Sequence, residues 1–582
     1  MCGLAGVIDP GGRVPKNTAE KMIASIRYRG VDEQGTASVG PCQLGHARLA
    51  VVDPENGGQP MYNADKSVTV VFNGEIYNFI ELRNQLKTKG YQFKSRCDTE
   101  VLVHLWVEYG VSMLDMLVGM FVFCLWDDKA GKGILARDRQ GIKPCYWSES
   151  NGSLYFASEI KALAAGLPTE LVVDDASLGL MHAFNYCPPP RTCFRDVEHL
   201  MPGSYIAFDR FGNYNTKTYW RWPLFDKKHR FDEQEFDDLL NHSIELQLRF
   251  DVGGCVFLSG GVDSSILIAK LAEFGALDRL HVYGLACELP EYSEIDLSRK
   301  VASQFGVELT PVQYGPDVIP NSLPDCIWHA DQPHGDFSFV LIRELCKRAH
   351  QDGLIVAFNG DGPDEALSGF GHNEAFLANQ VRTNFPLQRY FDEIAYLPRG
   401  ISETLFSDGF RAHQDDPVDH FEKMLEPYRD LEPIEQIIGY ETGFLMPGNN
   451  LIKGDRMGAG LSIEGRSPFL DHRISEYFAG LLVPEKFSGG YGKFCLKKYG
   501  LRFFDEHHMF RKKSMPTLPI GEWIKGPLQC WALQTLKSLP RSRYNIEAAV
   551  RLFEDHCAGR ANNTRVLRTL FAASIWLSSV EA

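Results

Sequence analysis

The segment Ser259-Gly-Gly-Val-Asp-Ser-Ser265 constrains this chain most, because it joins an apolar run, Cys255-Val-Phe-Leu258, to an apolar stretch at helical spacing. Gly260 and Gly261 permit a tight turn and let backbone N–H groups approach an anion closely. Ser259, Ser264 and Ser265 add hydroxyl donors, and the helix that follows offers its positive end. The lysine of a Gly-x-x-x-x-Gly-Lys-[Ser/Thr] loop is missing, so this is a different kind of phosphate turn. A loop at the carboxyl end of a strand is where open α/β sheets bind ligands. Asp263 would repel phosphate unless it helps to hold a cation, which points to Mg²⁺. The alternative is a polar strand-to-helix turn with no ligand.

The surrounding pattern predicts a parallel α/β sheet. Strands at Gly254–Leu258, His281–Ala286 and Leu354–Phe358 alternate with helices at Ser265–Phe274 and near Ser293–Phe305. Phe236, Leu240, Ile244 and Leu248 recur at helical spacing just before them, and the C-terminal third is helical in pattern. Residues before about 200 read differently. Short β-like runs such as Ser67–Phe72 and Met120–Trp126 are broken by Gly, Asn and Asp, with helices at Ile80–Lys89 and Thr99–Tyr109. Between the two regions, Met201-Pro-Gly-Ser and Asp226-Lys-Lys-His-Arg230 read as a linker.

The strand Leu354–Phe358 delivers a second polar loop, Asn359-Gly-Asp-Gly-Pro-Asp-Glu365. Three acids in five residues are costly without a counter-charge, which a metal–nucleotide complex supplies. An exposed acidic loop is the alternative. With 582 residues, two to four domains are expected. A net charge of −15 argues against a nucleic-acid surface, and the longest apolar run, Met116–Trp126, is too short to span a bilayer. The fourteen cysteines show no Cys-x-x-Cys pair and read as reduced, which with a start that lacks a positive n-region and soon reaches Asp9 implies a cytoplasmic protein.

One cysteine stands apart. Loss of the initiator methionine would put a thiol and a free α-amine on Cys2, leaving no room for a signal peptide. The amine can accept the thiol proton and return it, so nucleophile and base come from one residue. A second-position cysteine without function is the bland alternative.

Taken together, the Ser259–Ser265 loop resembles that of ATP pyrophosphatases, and with Met-Cys-Gly at the start the chain resembles the glutamine-dependent asparagine synthetase family. The likeness takes in Arg27-Tyr-Arg-Gly30, Gly45-His-Ala-Arg-Leu49, Asn73-Gly-Glu-Ile-Tyr77, Cys97-Asp-Thr-Glu100, Arg137–Pro144 and Phe156-Ala-Ser-Glu159. It continues through Asp331-Gln-Pro333, Lys453-Gly-Asp-Arg456, Arg466–Asp471 and Lys513–Trp523. The resemblance implies an N-terminal-nucleophile αββα sandwich over residues 2–210. Over 230–582 it implies a parallel-sheet α/β ATP pyrophosphatase, adenine nucleotide alpha hydrolase-like, with a helical C-terminal part.

It also implies roles. Cys2 attacks the glutamine side-chain amide; the Asn73 side chain and the Gly74 N–H form the oxyanion hole, worth about 3 kcal/mol per donor. Arg48 and Asp98 hold the α-carboxylate and α-ammonium of glutamine, and Glu75 and Arg29 support that pocket. In the second domain a carboxylic acid, aspartate by expectation, is adenylated and then attacked by channelled ammonia. Ser259, Gly260, Gly261, Asp263, Ser264 and Ser265 hold pyrophosphate, Asp263 and Asp364 hold Mg²⁺, and Phe257, Leu285 and Gly360 border the adenosine. Asp361 assists proton transfer and Lys513 neutralises the leaving phosphates. The resemblance allows a homodimer and calls for no nucleic-acid or membrane partner. Local alternatives exist: Asn73-Gly74 as a type I′ hairpin turn, Asp98 as a helix N-cap, Arg48 and Lys513 as solvated surface charges. Tyr28 and Val31 depart from the family string in the first domain, where Tyr28 can still donate a hydrogen bond; Asp361, Pro363 and the region after Asp331–Asp336 depart near the acceptor pocket and leave another amidated acid as the second reading.

Overall fold

A computed structural model describes residues 1–225, 228–378, 386–398, 400–511 and 518–581. Twelve strands lie in the first part of the described chain: β1 (Gly3–Ile8), β2 (Glu33–Val39), β3 (Cys42–Arg48), β4 (Met61–Tyr62), β5 (Val68–Ile76), β6 (Gly119–Asp127), β7 (Lys132–Arg137), β8 (Tyr146–Ser150), β9 (Ser153–Ala157), β10 (Glu198–His199), β11 (Ser204–Asp209) and β12 (Tyr214–Thr218). They form two antiparallel sheets ordered β10-β8-β9-β1-β3-β2 and β12-β11-β7-β6-β5-β4.

Alternation along the strands explains the layering, since successive side chains point to opposite faces. In β1, Leu4 and Ile8 enter the core between the sheets, while Ala5 and Val7 pack beneath the helices Thr18–Ser25 and Ile160–Gly166. In β6, Val122, Cys124 and Trp126 share that inner core, while Phe121, Phe123 and Leu125 pack against the helices Phe79–Thr88 and Thr99–Tyr109. Both faces of each sheet are therefore buried, which gives the αββα sandwich and explains why β6 reads as one unbroken apolar run.

The second sheet system is five parallel strands: β13 (Gly254–Phe257), β14 (Leu280–Cys287), β15 (Leu309–Tyr314), β16 (Val356–Phe358) and β17 (Glu464–Arg466). The order β15-β14-β13-β16-β17 reverses direction at β13, so the loops leaving β13 and β16 open into one crevice at the topological switch point. The described residues beyond are mainly helical, ending in Thr564–Val580. The expected linker is only partly described, because residues 226–227 lie outside the described set. Its remainder is pinned: Lys228 Nζ donates to Ala479 O at 2.9 Å and His229 N to Gly480 O at 2.8 Å. No helix among the described residues is long and apolar enough to cross a membrane.

Candidate active site

Cys2 sits immediately ahead of β1, with its Sγ 3.4 Å from Leu49 N and 3.6 Å from Leu49 O. Burial pushes its thiol pKa up, offset by the adjacent amino terminus and by the Leu49 hydrogen bond. The Met1 amine is itself lowered to about 6 by burial.

Asn73 is fully buried in β5, and neither its Oδ1 nor its Nδ2 has a hydrogen-bond partner. Buried amides are almost always paired, so an orphaned one marks a place kept for something else. Gly74 follows with φ +148°, and a Cβ there would fall 2.0 Å from Met120 O. These two residues pair with Val122 and Phe121 in mid-sheet, which overturns the type I′ turn alternative. The strand is held in register from the side: Gln59 Oε1 accepts from Phe72 N at 2.7 Å, and a ring nitrogen of His46 bonds Phe72 O at 2.8 Å.

Asp98 occupies the N-cap position of the helix Thr99–Tyr109 without a side-chain cap bond, so the capping alternative also fails. Its Oδ2 instead accepts from Ile76 N at 2.9 Å, which ties it to the end of the strand that carries Asn73, and burial raises its pKa. Glu75 lies near Asp98 and is raised well above the carboxylate range by burial, then by Glu464 and Asp98, against Arg466 and Lys143. Arg466, from the second half, approaches Glu75 at 3.5 Å. Arg48 is buried rather than solvated; its Nη1 donates to Pro54 O at 2.8 Å and its Nη2 to Asp53 O at 2.8 Å.

A network of buried charge joins this end to the second half. Arg29 donates through Nε to Cys2 O at 2.9 Å and pairs with Glu159 and Asp455, each at 2.8 Å. Arg456 pairs with Glu159 at 2.9 Å and Asp331 at 3.3 Å, while Lys161 meets Asp331 at 2.6 Å. Tyr28 donates to Glu159, keeping a hydrogen bond where the family string differs.

A small cavity of about 40 Å³ has Met1, Tyr77, Ile142 and Lys143 in its wall, together with Asn359 and Asp361. Asn359 and Asp361 also line a much larger cavity of about 530 Å³ at the switch point. Phe257, Ser259, Gly261, Asp263, Ser264, Leu285, Gly360 and Asp364 share that larger wall. Gly360 lets the two loops touch, since a Cβ there would lie 3.0 Å from Ser264 N. The Asp361 carboxyl opens into the cavity; enclosure raises its pKa, Lys453 opposes this, and Asp364 and Asp263 add to it.

One expected pyrophosphate ligand, Ser265, turns away from the cavity. Ser265 is buried, its hydroxyl 3.1 Å from His508 Nε2 and its N–H bonded to Gly261 O at 2.9 Å. Its side chain faces away from the cavity because the first turn of the helix rotates it inward. Gly260, with φ +72°, supplies the turn and packs against Leu297 and Ser298. Lys513 lies outside the described residues.

Residues 1–220 match the family described as "Glutamine amidotransferase domain", and residues 235–578 match "Asparagine synthase". The chain belongs to the asparagine synthase family. It is 30% identical to asparagine synthetase (glutamine-hydrolyzing) 1 of Bacillus subtilis (strain 168), covering 99% of this chain and 96% of that one. Asparagine synthetase (glutamine-hydrolyzing) 3 of the same organism is 29% identical over 92% of this chain and 90% of its own length. Amidase chyE of Penicillium rubens is 28% identical over 66% of this chain and 62% of its own length. The chain is accordingly a ligase of the glutamine-dependent, ATP-driven amidating kind.

The residue that the sequence reading missed in this ligase is Lys493. Its buried Nζ lies 2.7 Å from Asp263 Oδ2 and 2.8 Å from Asp364 Oδ1, and the two carboxylates raise its pKa against burial. The glycine-rich string Gly489-Gly-Tyr-Gly492 just before it was the available signal, since Lys493 adopts φ +52° where the chain turns into the helix Phe494–Gly500. Lys453 was quoted only as part of a motif. It stands 3.0 Å from Ser338 Oγ in the large cavity, with Asp336 and Asp361 among the charges that raise its pKa.

Proposed function

We propose that this ligase hydrolyses glutamine at Cys2 and uses the ammonia to convert aspartate to asparagine, releasing AMP and pyrophosphate. The observation that carries the reading is that Asp361 and Asn359 stand in the walls of both cavities, the small one beside Met1 and the large one at the switch point. The division into a glutaminase half, 2–210, and a synthetase half, 230–582, is supported by the family matches over 1–220 and 235–578.

With Met1 removed, the Cys2 amine takes the thiol proton and Sγ attacks the glutamine amide carbon. The developing oxyanion receives hydrogen bonds from the orphaned Asn73 amide and the Gly74 N–H. The C–N bond breaks, ammonia leaves with the proton returned by the amine, and water later cleaves the thioester to glutamate. Arg48 and Asp98 fix the two charged ends of glutamine, Arg48 through the guanidinium N–H groups not spent on loop carbonyls.

In the large cavity an acceptor carboxylate oxygen attacks the α-phosphorus of ATP and pyrophosphate departs. Ammonia then attacks the acyl carbon and AMP leaves with the carboxylate oxygen. Asp361, its pKa raised, takes up the proton that the attacking nitrogen loses. Ser259, Ser264 and the turn at Gly260 and Gly261 cradle the phosphates, Phe257, Leu285 and Gly360 border the adenosine, and Lys513 neutralises charge on the leaving phosphates. Asp263 and Asp364 already share one cation, the Lys493 ammonium, so the pair fits a second cation class, Mg²⁺. Mg²⁺ held there would neutralise charge on the leaving pyrophosphate.

A second reading, amidation of a longer acid, is favoured by one feature. The cavity continues past Asp361 to Tyr396, Arg565 and Arg568. Pyrophosphate release with ATP, Mg²⁺ and glutamine across a panel of carboxylic acids decides between them; failure of aspartate where another acid succeeds overturns the first. Cys2→Ala should lose glutamine use and keep ammonium-driven activity, and equal loss with both nitrogen sources refutes the two-site scheme.

A further inference from the structure

Cys2 precedes the first paired residue of β1, Gly3, and a chain end ahead of its strand frays unless something ties it. The tie on its carbonyl is the Arg29 Nε–H at 2.9 Å. That hydrogen bond is useful only if the guanidinium cannot rotate. A guanidinium is planar, so fixing both terminal nitrogens fixes the direction of the Nε–H as well. Glu159 fixes Nη1 and Asp455 fixes Nη2, with all three side chains at most 2% exposed. Glu159 belongs to the first half. Asp455 belongs to the helix Leu451–Ala459 of the second half, 426 residues from Arg29 in sequence.

We propose that Asp455 is a positioning residue for the Cys2 nucleophile, acting through Arg29, so that the synthetase half completes the glutaminase site. The proposal rests on the reading of Cys2 as a glutaminase nucleophile. Two features argue for orientation rather than stability alone. Burying one guanidinium between two carboxylates is a poor way to gain stability, because desolvation offsets most of the attraction. The helix that carries Asp455 also presents Lys453 to the large cavity, and Lys143 of the first half approaches Asp455 at 3.7 Å, so the carboxylate is gripped from both sides.

The test uses the full-length enzyme and Asp455→Asn, which keeps the shape and removes the charge. Three rates are compared: glutamate release from glutamine without ATP, ammonium-driven pyrophosphate release, and alkylation of Cys2 by iodoacetamide followed by mass spectrometry. A misplacement of about 1 Å costs about a hundredfold. The expected result is a fall of that order in the kcat for glutamate release, glutamine KM within about threefold, ammonium-driven release within about twofold, and a changed Cys2 alkylation rate. Glutamate release at the wild-type rate overturns the proposal. So does a parallel fall in both activities with a lowered Tm, the signature of a structural role. Should Asp455→Asn fail to fold, Arg29→Lys retains a cation for both carboxylates without a fork aimed at Cys2 O. It is expected to show the same selective loss, and wild-type glutamate release in it overturns the proposal. Absence of glutamate release from the wild type sinks the glutaminase reading itself, and the positioning role with it.

Discussion

Replacing Lys493 with methionine removes the ammonium that Asp263 and Asp364 share at 2.7 and 2.8 Å while keeping most of the side-chain volume. Removing one partner of a fully buried ion pair costs about 3–5 kcal/mol. Here the carboxylates keep 14% and 20% exposure on the cavity wall, so hydration recovers part of that and about 2–3 kcal/mol is expected. Unfolding entropy of about 2.1 cal/mol/K per residue over the roughly 350-residue second half converts this to a fall in Tm of about 3–4 °C. Because the folded pKa of Lys493 is raised, its contribution is complete below the unfolded value of about 10.4 and is lost only as pH rises through the folded value. Scanning calorimetry at pH 7.5 in EDTA therefore reads the full effect. Adding Mg²⁺ supplies the comparison: in the wild type a metal must displace the ammonium, whereas in Lys493→Met it need not. Mg²⁺ should raise Tm more in the variant. An unchanged Tm in EDTA, or equal Mg²⁺ shifts in both proteins, would refute the reasoning.

Glu365 is pushed up to about 8 by burial and then by Asp364, against the hydrogen bond from Asn450. Its native form binds a proton that the unfolded form has lost, so stability present below about 4.5 drains away as pH rises to about 8. Glu365→Gln should add about 2–4 kcal/mol at pH 8 and almost nothing at pH 4, measured by denaturant unfolding at the two pH values. Asn73→Ala should lower the kcat for glutamate release by about 10²–10³ while leaving Tm within a degree or two, since the amide it removes has no partner to lose. Ser264→Ala should weaken ATP binding, measured by calorimetric titration. Ser265→Ala should instead cost about 1 kcal/mol of stability through the lost His508 bond and leave ATP affinity within about twofold.

Much of the fold was readable because local signals agreed with one another. The helix Thr99–Tyr109 falls where its apolar periodicity put it, β13 and β16 lie within their expected runs, and β14 exceeds its run by one residue at each end. The local alternatives that the structure excludes arose where one signal serves two structures. Asn-Gly between β-like runs is the mark of a tight hairpin, yet Gly74 is there because Met120 O approaches too closely for any side chain. Asp ahead of a helix is the mark of a cap, yet the Asp98 carboxylate turns back to Ile76 N. In both places the residue type was informative, and the long-range partner that decided its use was invisible in a local window.

The site shows the same limit more sharply. Asp263 and Asp364 were legible because each stands in a glycine-containing segment that follows a strand, a pattern with a physical reason that needs no partner. Lys493 could not be found that way. It lies 230 residues beyond Asp263, and the parallel pairing of β13 with β16 at the switch point brings Asp263 and Asp364 to a common ammonium. Lys513 differs in that the family resemblance points to it, whereas its basic run, Arg511-Lys-Lys513, on composition alone reads as solvated charge. Asp455 and Arg456 were legible as letters of a motif but not as chemistry, because their partners Arg29 and Glu159 belong to the other half. A motif therefore locates residues whose partners are set by the fold, and in this ligase the Arg29 that bonds Cys2 O is itself paired with Asp455 of the other half.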